Sequence, residues 1–127
     1  MPKQIIQSDR APQAIGTYSQ AVRAGNTVYV SGQIGIDPAT GNLVEGVDAQ
    51  IEQVFRNLEA IAAAAGASLR DAVKVAVFLT DMGNFARVNE AMARHVPQPY
   101  PARAAVGVAS LPRGALVEVE AVLAIEP

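Results

Sequence analysis

The sequence predicts one α+β domain, a mixed β-sheet with two helices on one of its faces. Three observations carry this. Apolar residues recur at helical spacing in two stretches, from Ile51 to Ala65 and from Phe85 to Val96. Runs rich in β-branched residues surround them, at Thr27 to Val30, Ala72 to Thr80 and Leu116 to Ile125. The resulting order is hairpin, helix, strand, helix, strand, strand. Right-handed crossovers then put both helices on the same side. The opposite sheet face is left bare, and a small domain with a bare apolar face normally buries it in an oligomer.

Residues 1 to 16 hold Pro2, Pro12 and Gly16 and read as an irregular arm, with a short strand at Gln4 to Gln7. Tyr18 to Arg23 reads as a strand, paired through a Gly25-Asn26 turn with Thr27 to Val30. That second strand is expected to stop at Ser31-Gly32-Gln33. Asp37 to Asn42 is a turn cluster, and Leu43-Val44 a short edge strand. Asp48 is placed to cap the first helix, whose apolar stripe is Ile51, Val54, Phe55, Leu58, Ile61, Ala62 and Ala65; Gly66 fits its C′ position. Ala72 to Thr80, broken only by Lys74, reads as a central strand. Asp81 to Asn84 is a turn containing a cap. The second helix runs from Phe85 to His95, with Phe85, Val88, Met92 and Val96 on one face and Asn89 at its border. Ala104 to Ala109 reads as a buried strand, and Leu111 to Gly114 as a turn. In the last strand Glu118 and Glu120 share one face, while Val117, Val119, Ala121 and Leu123 share the other.

At 127 residues the chain is expected to form a single domain over residues 1–127. The net charge of −2 gives no broad attraction to nucleic acid or anionic lipid. The absence of cysteine removes disulfides, thiolate metal sites and cysteine nucleophiles together. Met1 to Arg10 lacks the apolar core of a signal peptide, and no apolar run is long enough to span a bilayer, so the expected location is the cytoplasm.

The residue that invites chemistry is Arg103. Pro97, Pro99 and Pro101 stiffen its approach, and an apolar run follows it. An arginine entering a buried strand is costly to desolvate unless an anion meets it. Its planar fork suits a carboxylate or phosphate. The residues alone leave two anions open, an internal glutamate and a ligand. One histidine and scattered carboxylates make no metal site, and Gly32 to Gly35 lacks the lysine and length of a phosphate loop. His95, the sole histidine, has no serine at triad spacing, and its helix C-terminal position suits a partial positive charge. What remains is an anion-holding arginine and a carboxylate able to move a proton through water.

Several motifs, taken in order, closely resemble the Rid family of reactive intermediate deaminases, also called the YjgF family. They are Ala11-Pro12 with Ala14 to Ala21, Val30 to Ile34, Val77 to Met82, Val88-Asn89, Pro101-Ala102-Arg103, and Leu111-Pro112 with Gly114 to Ala121. The resemblance covers nearly the whole chain. It implies a chorismate-mutase-like fold assembled as a homotrimer, with active sites in the clefts between subunits. It implies hydrolysis of reactive enamine and imine acids, such as 2-aminoacrylate and 2-iminobutyrate, to 2-keto acids and ammonia, with no cofactor or metal. By position, Arg103 matches the arginine that grips the substrate carboxylate, which favours the ligand over an internal glutamate. Glu118 matches the glutamate that positions water and relays protons. Tyr18, Ser31 and Asn89 match cleft-lining residues, and Gly32 and Ala105 match positions whose backbone faces the ligand. Glu120 is then structural or solvent-facing. Thr17 stands where the family usually has proline, loosening the loop before Tyr18. Ala105 stands where many relatives have cysteine or threonine. The rivals are a non-catalytic trimer that binds a small carboxylate, a ribonuclease, which the charge and the scarcity of aromatics oppose, and an isomerase resting on fold analogy alone.

Overall fold

The computed structural model describes residues 2–126. Six strands form one sheet in the order β1 (Gln4–Ile6), β2 (Ala21–Ala24), β3 (Thr27–Gln33), β8 (Val117–Ala124), β6 (Ala72–Leu79), β7 (Ala102–Gly107). A small hairpin, β4 (Ile36–Asp37) and β5 (Asn42–Leu43), stands apart. Helices α1 (Val47–Ala64) and α2 (Phe85–His95) join one buried core with the sheet. Every neighbouring pair of the sheet is antiparallel except β6 and β7, which α2 connects as a parallel crossover. The mixed sheet and the two helices on one face are as the sequence predicts.

The core follows from the two periodicities. Along α1, Ile51, Val54, Phe55, Leu58 and Ile61 are at most 2% exposed. Each such side chain contributes on the order of 1.5–3 kcal/mol by leaving water. Along β8, Val117, Val119, Ala121 and Leu123 are buried beneath α1 while Glu118, Glu120 and Val122 face the other way. Gly66 adopts φ 76° just after α1, and the N–H groups of Gly66 and Ala67 bond back to the carbonyls of Ala63 and Ala62. That left-handed termination is nearly free only for glycine.

Four local expectations need correction. The strand expected from Tyr18 begins at Ala21, because Gln20 turns inward. Its buried amide accepts from the Ser8 N–H at 2.6 Å and donates to the Pro12 carbonyl at 2.7 Å, tying the arm to the sheet. The neighbouring strand does not stop at Ser31: β3 continues to Gln33 through a shift in its register with β8. Asp48 does not cap α1. The helix is entered two residues earlier through Gly46 at φ 91°, and the Asp48 carboxylate instead accepts from Arg87 of α2 at 2.7 Å. The strand after Arg103 is not buried in the single chain. β7 is an edge strand, mostly exposed, and only Ala105 packs partly against the core. An apolar run alone does not tell a central strand from an edge that a second chain would cover.

His95 has a structural explanation. Its ring stacks on Phe55 at 5.5 Å, and its two nitrogens lie 2.7 Å from Glu52 Oε2 and 3.2 Å from Glu59 Oε2. It fastens α2 to α1.

Candidate active site

The sheet register divides the candidate residues into two groups. Arg103 and Ala105 of β7 lie opposite Val75 and Val77 of β6, both buried on the helix face. Glu118 and Glu120 of β8 lie opposite Phe78 and Ala76, on the bare face. Strand side chains alternate, so Arg103 and Glu118 of one chain point to opposite sides of the sheet.

On the helix face, Arg103 lies along α2. Its Nη1 donates to Asn89 Oδ1 at 2.8 Å, and the same nitrogen is 3.8 Å from the sulfur of Met92. The guanidinium carbon stands 4.8 Å from the centre of the Phe85 ring. Phe85, Asn89 and Met92 are one helical face, spaced four and three residues apart. Among the described residues no carboxylate pairs with Arg103. Of the two anions the sequence left open, the internal glutamate is therefore not realised. A cleft of about 290 Å³ opens beside Arg103, bounded by Asn89, Met92, Ala93, Tyr100 and Pro101. Ala105 shares this face but packs partly against the core.

On the bare face, a larger cleft of about 620 Å³ gathers Tyr18, Ser31, Gly32, Glu118 and Glu120, with apolar walls from Ile15 and Ile34. The Ser31 hydroxyl donates to the Ser19 carbonyl, and its N–H donates to the Gln20 carbonyl at 2.9 Å. The Tyr18 hydroxyl accepts from the Ile15 N–H at 3.4 Å, closing a short loop across Gly16 and Thr17. Gly32 is indispensable to the position of Glu118: a Cβ there would lie 2.9 Å from Glu118 Cδ and 3.0 Å from its Oε2. The carboxyl thus rests directly on the strand beside it. Burial pushes the Glu118 carboxyl above the ordinary range, and the nearby charge of Glu120 adds to the shift. A carboxyl so displaced exchanges protons closer to neutrality than a free one.

Sequence reasoning missed the residues that support these groups. Phe85 and Met92 read as core stripe, which they partly are, and nothing in their spacing shows a guanidinium laid across them. Gln20 lies inside the stretch that reads as a strand, although it ties down the arm that carries Ile15. Arg113 adopts φ 60°, donates to the Gly41 carbonyl at 3.3 Å and stands at the rim of the Glu118 cleft. Its only signal was the Leu111 to Gly114 turn. Among the described residues no cluster of His, Asp or Glu converges to hold a metal ion, and no helix is long and apolar enough to cross a membrane.

Fold and site together define an α+β protein with an uncommitted arginine on one sheet face and a displaced carboxyl on the other. The family model described as endoribonuclease L-PSP matches residues 8–125, and the chain belongs to this family, that of the Rid and YjgF proteins. It is 46% identical over 126 residues to a 2-iminobutanoate/2-iminopropanoate deaminase of Dermatophagoides farinae, covering 98% of each chain. The crystal structure of RidA from an Antarctic Psychrobacter superposes with a TM-score of 0.94 at 59% identity, over 96% of this chain and 99% of that one. The crystal structure of Escherichia coli TdcF with bound serine superposes with a TM-score of 0.90 at 40% identity, over 97% and 99%.

Proposed function

We propose that the protein is a hydrolytic deaminase of small 2-imino acids and their enamine tautomers, releasing 2-keto acids and ammonia from a site closed between the subunits of a homotrimer. One observation carries the reading. Arg103 is held by an aromatic ring and neutral acceptors, with no carboxylate among its neighbours, in a chain 46% identical to a named deaminase of this kind.

The chemistry asks little of the protein. Arg103 takes the substrate carboxylate in its fork and fixes the adjacent imine carbon. Glu118 accepts a proton from water as the oxygen attacks that carbon. That proton passes to the nitrogen to give a carbinolamine; the proton of the new hydroxyl then follows to the nitrogen through the same carboxylate as the carbon–nitrogen bond breaks, so ammonia leaves and a keto group remains. Imines already hydrolyse in water, so orientation and one proton relay are sufficient.

The trimer supplies the geometry that one chain lacks. Arg103 and Glu118 sit on opposite sheet faces, so the two work on one substrate only when a second copy brings its bare face to the β7 edge of the first. The same contact covers the exposed Tyr29, Val73 and Val106.

A second reading is supported by the bound serine of TdcF: a trimer that senses small amino or keto acids without turning them over. The nucleic-acid activity in the family's description draws no support from a net charge of −2. A coupled assay separates the first two readings. A pyridoxal-phosphate dehydratase generates imine from serine or threonine, and keto-acid appearance is followed with and without this protein. Acceleration supports the deaminase, and saturable ligand binding without acceleration supports the sensor.

A further inference from the structure

We infer that Phe85 is a positioning residue for substrate binding: its ring carries the Arg103 guanidinium in a ligand-ready pose without using up its charge. This rests on the reading of Arg103 as the carboxylate holder and assigns the device that keeps it available.

A long arginine side chain on an exposed edge strand samples many rotamers, and a ligand that must freeze them binds more weakly. The usual device is an ion pair, but a carboxylate here would compete with the substrate. The fold uses neutral groups instead. The ring of Phe85 lies 4.8 Å from the guanidinium carbon. Asn89 Oδ1 takes one N–H at 2.8 Å, and the Met92 sulfur stands 3.8 Å from the same nitrogen. Both polar contacts use Nη1, which leaves Nη2 and Nε without a protein acceptor among the described residues. Those two nitrogens form one edge of the planar fork, the edge that can meet both oxygens of a carboxylate. Phe85 is itself partly buried against the core, and the helix places it one turn before Asn89, so the ring has little freedom to leave. The aromatic face attracts the cation but supplies no hydrogen-bond acceptor to the fork.

The test measures the dissociation constant for 2-oxobutanoate, the keto acid that hydrolysis of 2-iminobutanoate yields, together with kcat, KM and thermal melting. Phe85→Leu keeps an apolar side chain in the core and removes the ring. It is expected to weaken 2-oxobutanoate binding and raise KM together, by roughly threefold to tenfold, the range of a part-exposed cation–π contact. kcat is expected to stay within about twofold, the pattern of lost uniform binding. Phe85→Tyr, which retains the ring face, is expected to restore both constants. In an Arg103→Ala background, Phe85→Leu is expected to weaken binding no further, because the group it positions is gone. A lower melting temperature with unchanged KM and unchanged 2-oxobutanoate binding would overturn the inference, as would equal weakening with and without Arg103. If Arg103→Ala itself leaves 2-oxobutanoate binding intact, the carboxylate reading of the cleft fails and this inference falls with it. If Arg103→Ala weakens binding while Phe85→Leu does not, this inference alone fails.

Discussion

The two halves of the candidate site solve opposite electrostatic problems. At the β7 edge a full positive charge is kept exposed and uncommitted. Asn89, Met92 and Phe85 orient Arg103 without neutralising it. On the bare sheet face a carboxyl is pressed toward neutrality, because Glu118 is half-buried and a like charge, Glu120, stands near it. Under the proposed function one half holds an anion and the other trades a proton. Neither does much alone, and the sheet keeps them apart within one chain. The separation runs through the sheet, so under the proposed function Arg103 and Glu118 meet on one substrate only when a second copy is present.

The largest effect is expected from removing the carboxyl proposed to trade the proton. Glu118→Gln keeps the shape and loses the base, and we expect imine hydrolysis to fall by about 10²-fold or more. Glu120→Gln is expected to spare most of it, since Glu120 is the more exposed of the two and does not rest on Gly32. Equal losses in two well-folded variants would erase the distinction between the carboxylates.

Next in size is the anion-holding group. A hydrogen bond to a charged group is worth about 1.5–3 kcal/mol, so Arg103→Ala should lower kcat/KM roughly tenfold to a hundredfold. Arg103→Lys should recover only part, because an ammonium lacks the fork. The melting temperature should move little in either variant, since no buried carboxylate is left behind. An Arg103→Ala protein that melts far earlier yet keeps its specific activity while folded would show the arginine to be structural.

How much of this was legible in the chain varies by element. The stripe of α1 and the alternation in β8 were plain, because each periodicity is written in one contiguous segment. The proline-stiffened approach marks Arg103, and the motifs around Tyr18, Ser31, Asn89 and Glu118 resemble a known family. What could not be read were pairings across the sequence. Phe85 under Arg103, Gln20 over Ser8 and Pro12, and Gly32 beneath Glu118 are all contacts between distant or separately folded segments. The exposure of β7 was hidden for a related reason. Its composition, three alanines and a valine beside Arg103 and Gly107, suits an exposed edge as well as a buried strand.

A smaller effect sharpens the Glu118 half. Gly32→Ala places a methyl group 2.9 Å from Glu118 Cδ, and the end of that side chain is able to swing away. We expect about a tenfold loss in kcat with little change in melting, because a displaced relay costs rate and not packing. A variant with unchanged kcat would show that the resting position of the carboxyl is not the working one.

The smallest expected effect is on pH dependence. Burial and Glu120 hold the Glu118 carboxyl above its ordinary value, so activity should be lost on acidification at a pH above the usual carboxylate range. Glu120→Gln removes the like charge and should move that acidic limb to lower pH. The sign for stability is the reverse. A carboxyl raised in the folded state binds its proton more tightly there than in the unfolded chain, so acidification through this range adds to its share of stability. Melting curves should therefore show no loss of fold attributable to Glu118 where activity fails. A limb that stays in place in Glu120→Gln would remove Glu120 from the account.

A site shared between subunits is tested most directly by complementation between the two halves. Arg103→Ala and Glu118→Gln are each purified, confirmed to be weakly active, then mixed in equal amounts and allowed to exchange subunits. If each site takes Arg103 from one subunit and Glu118 from its neighbour, every mixed ring trimer holds one junction where both intact residues meet. Random exchange makes about three-quarters of the trimers mixed, each with one intact site in three, so the mixture should recover roughly a quarter of the wild-type rate. A mixture that has exchanged subunits, as verified by mass, and yet shows only the residual activities of its two components would contradict a site shared between subunits.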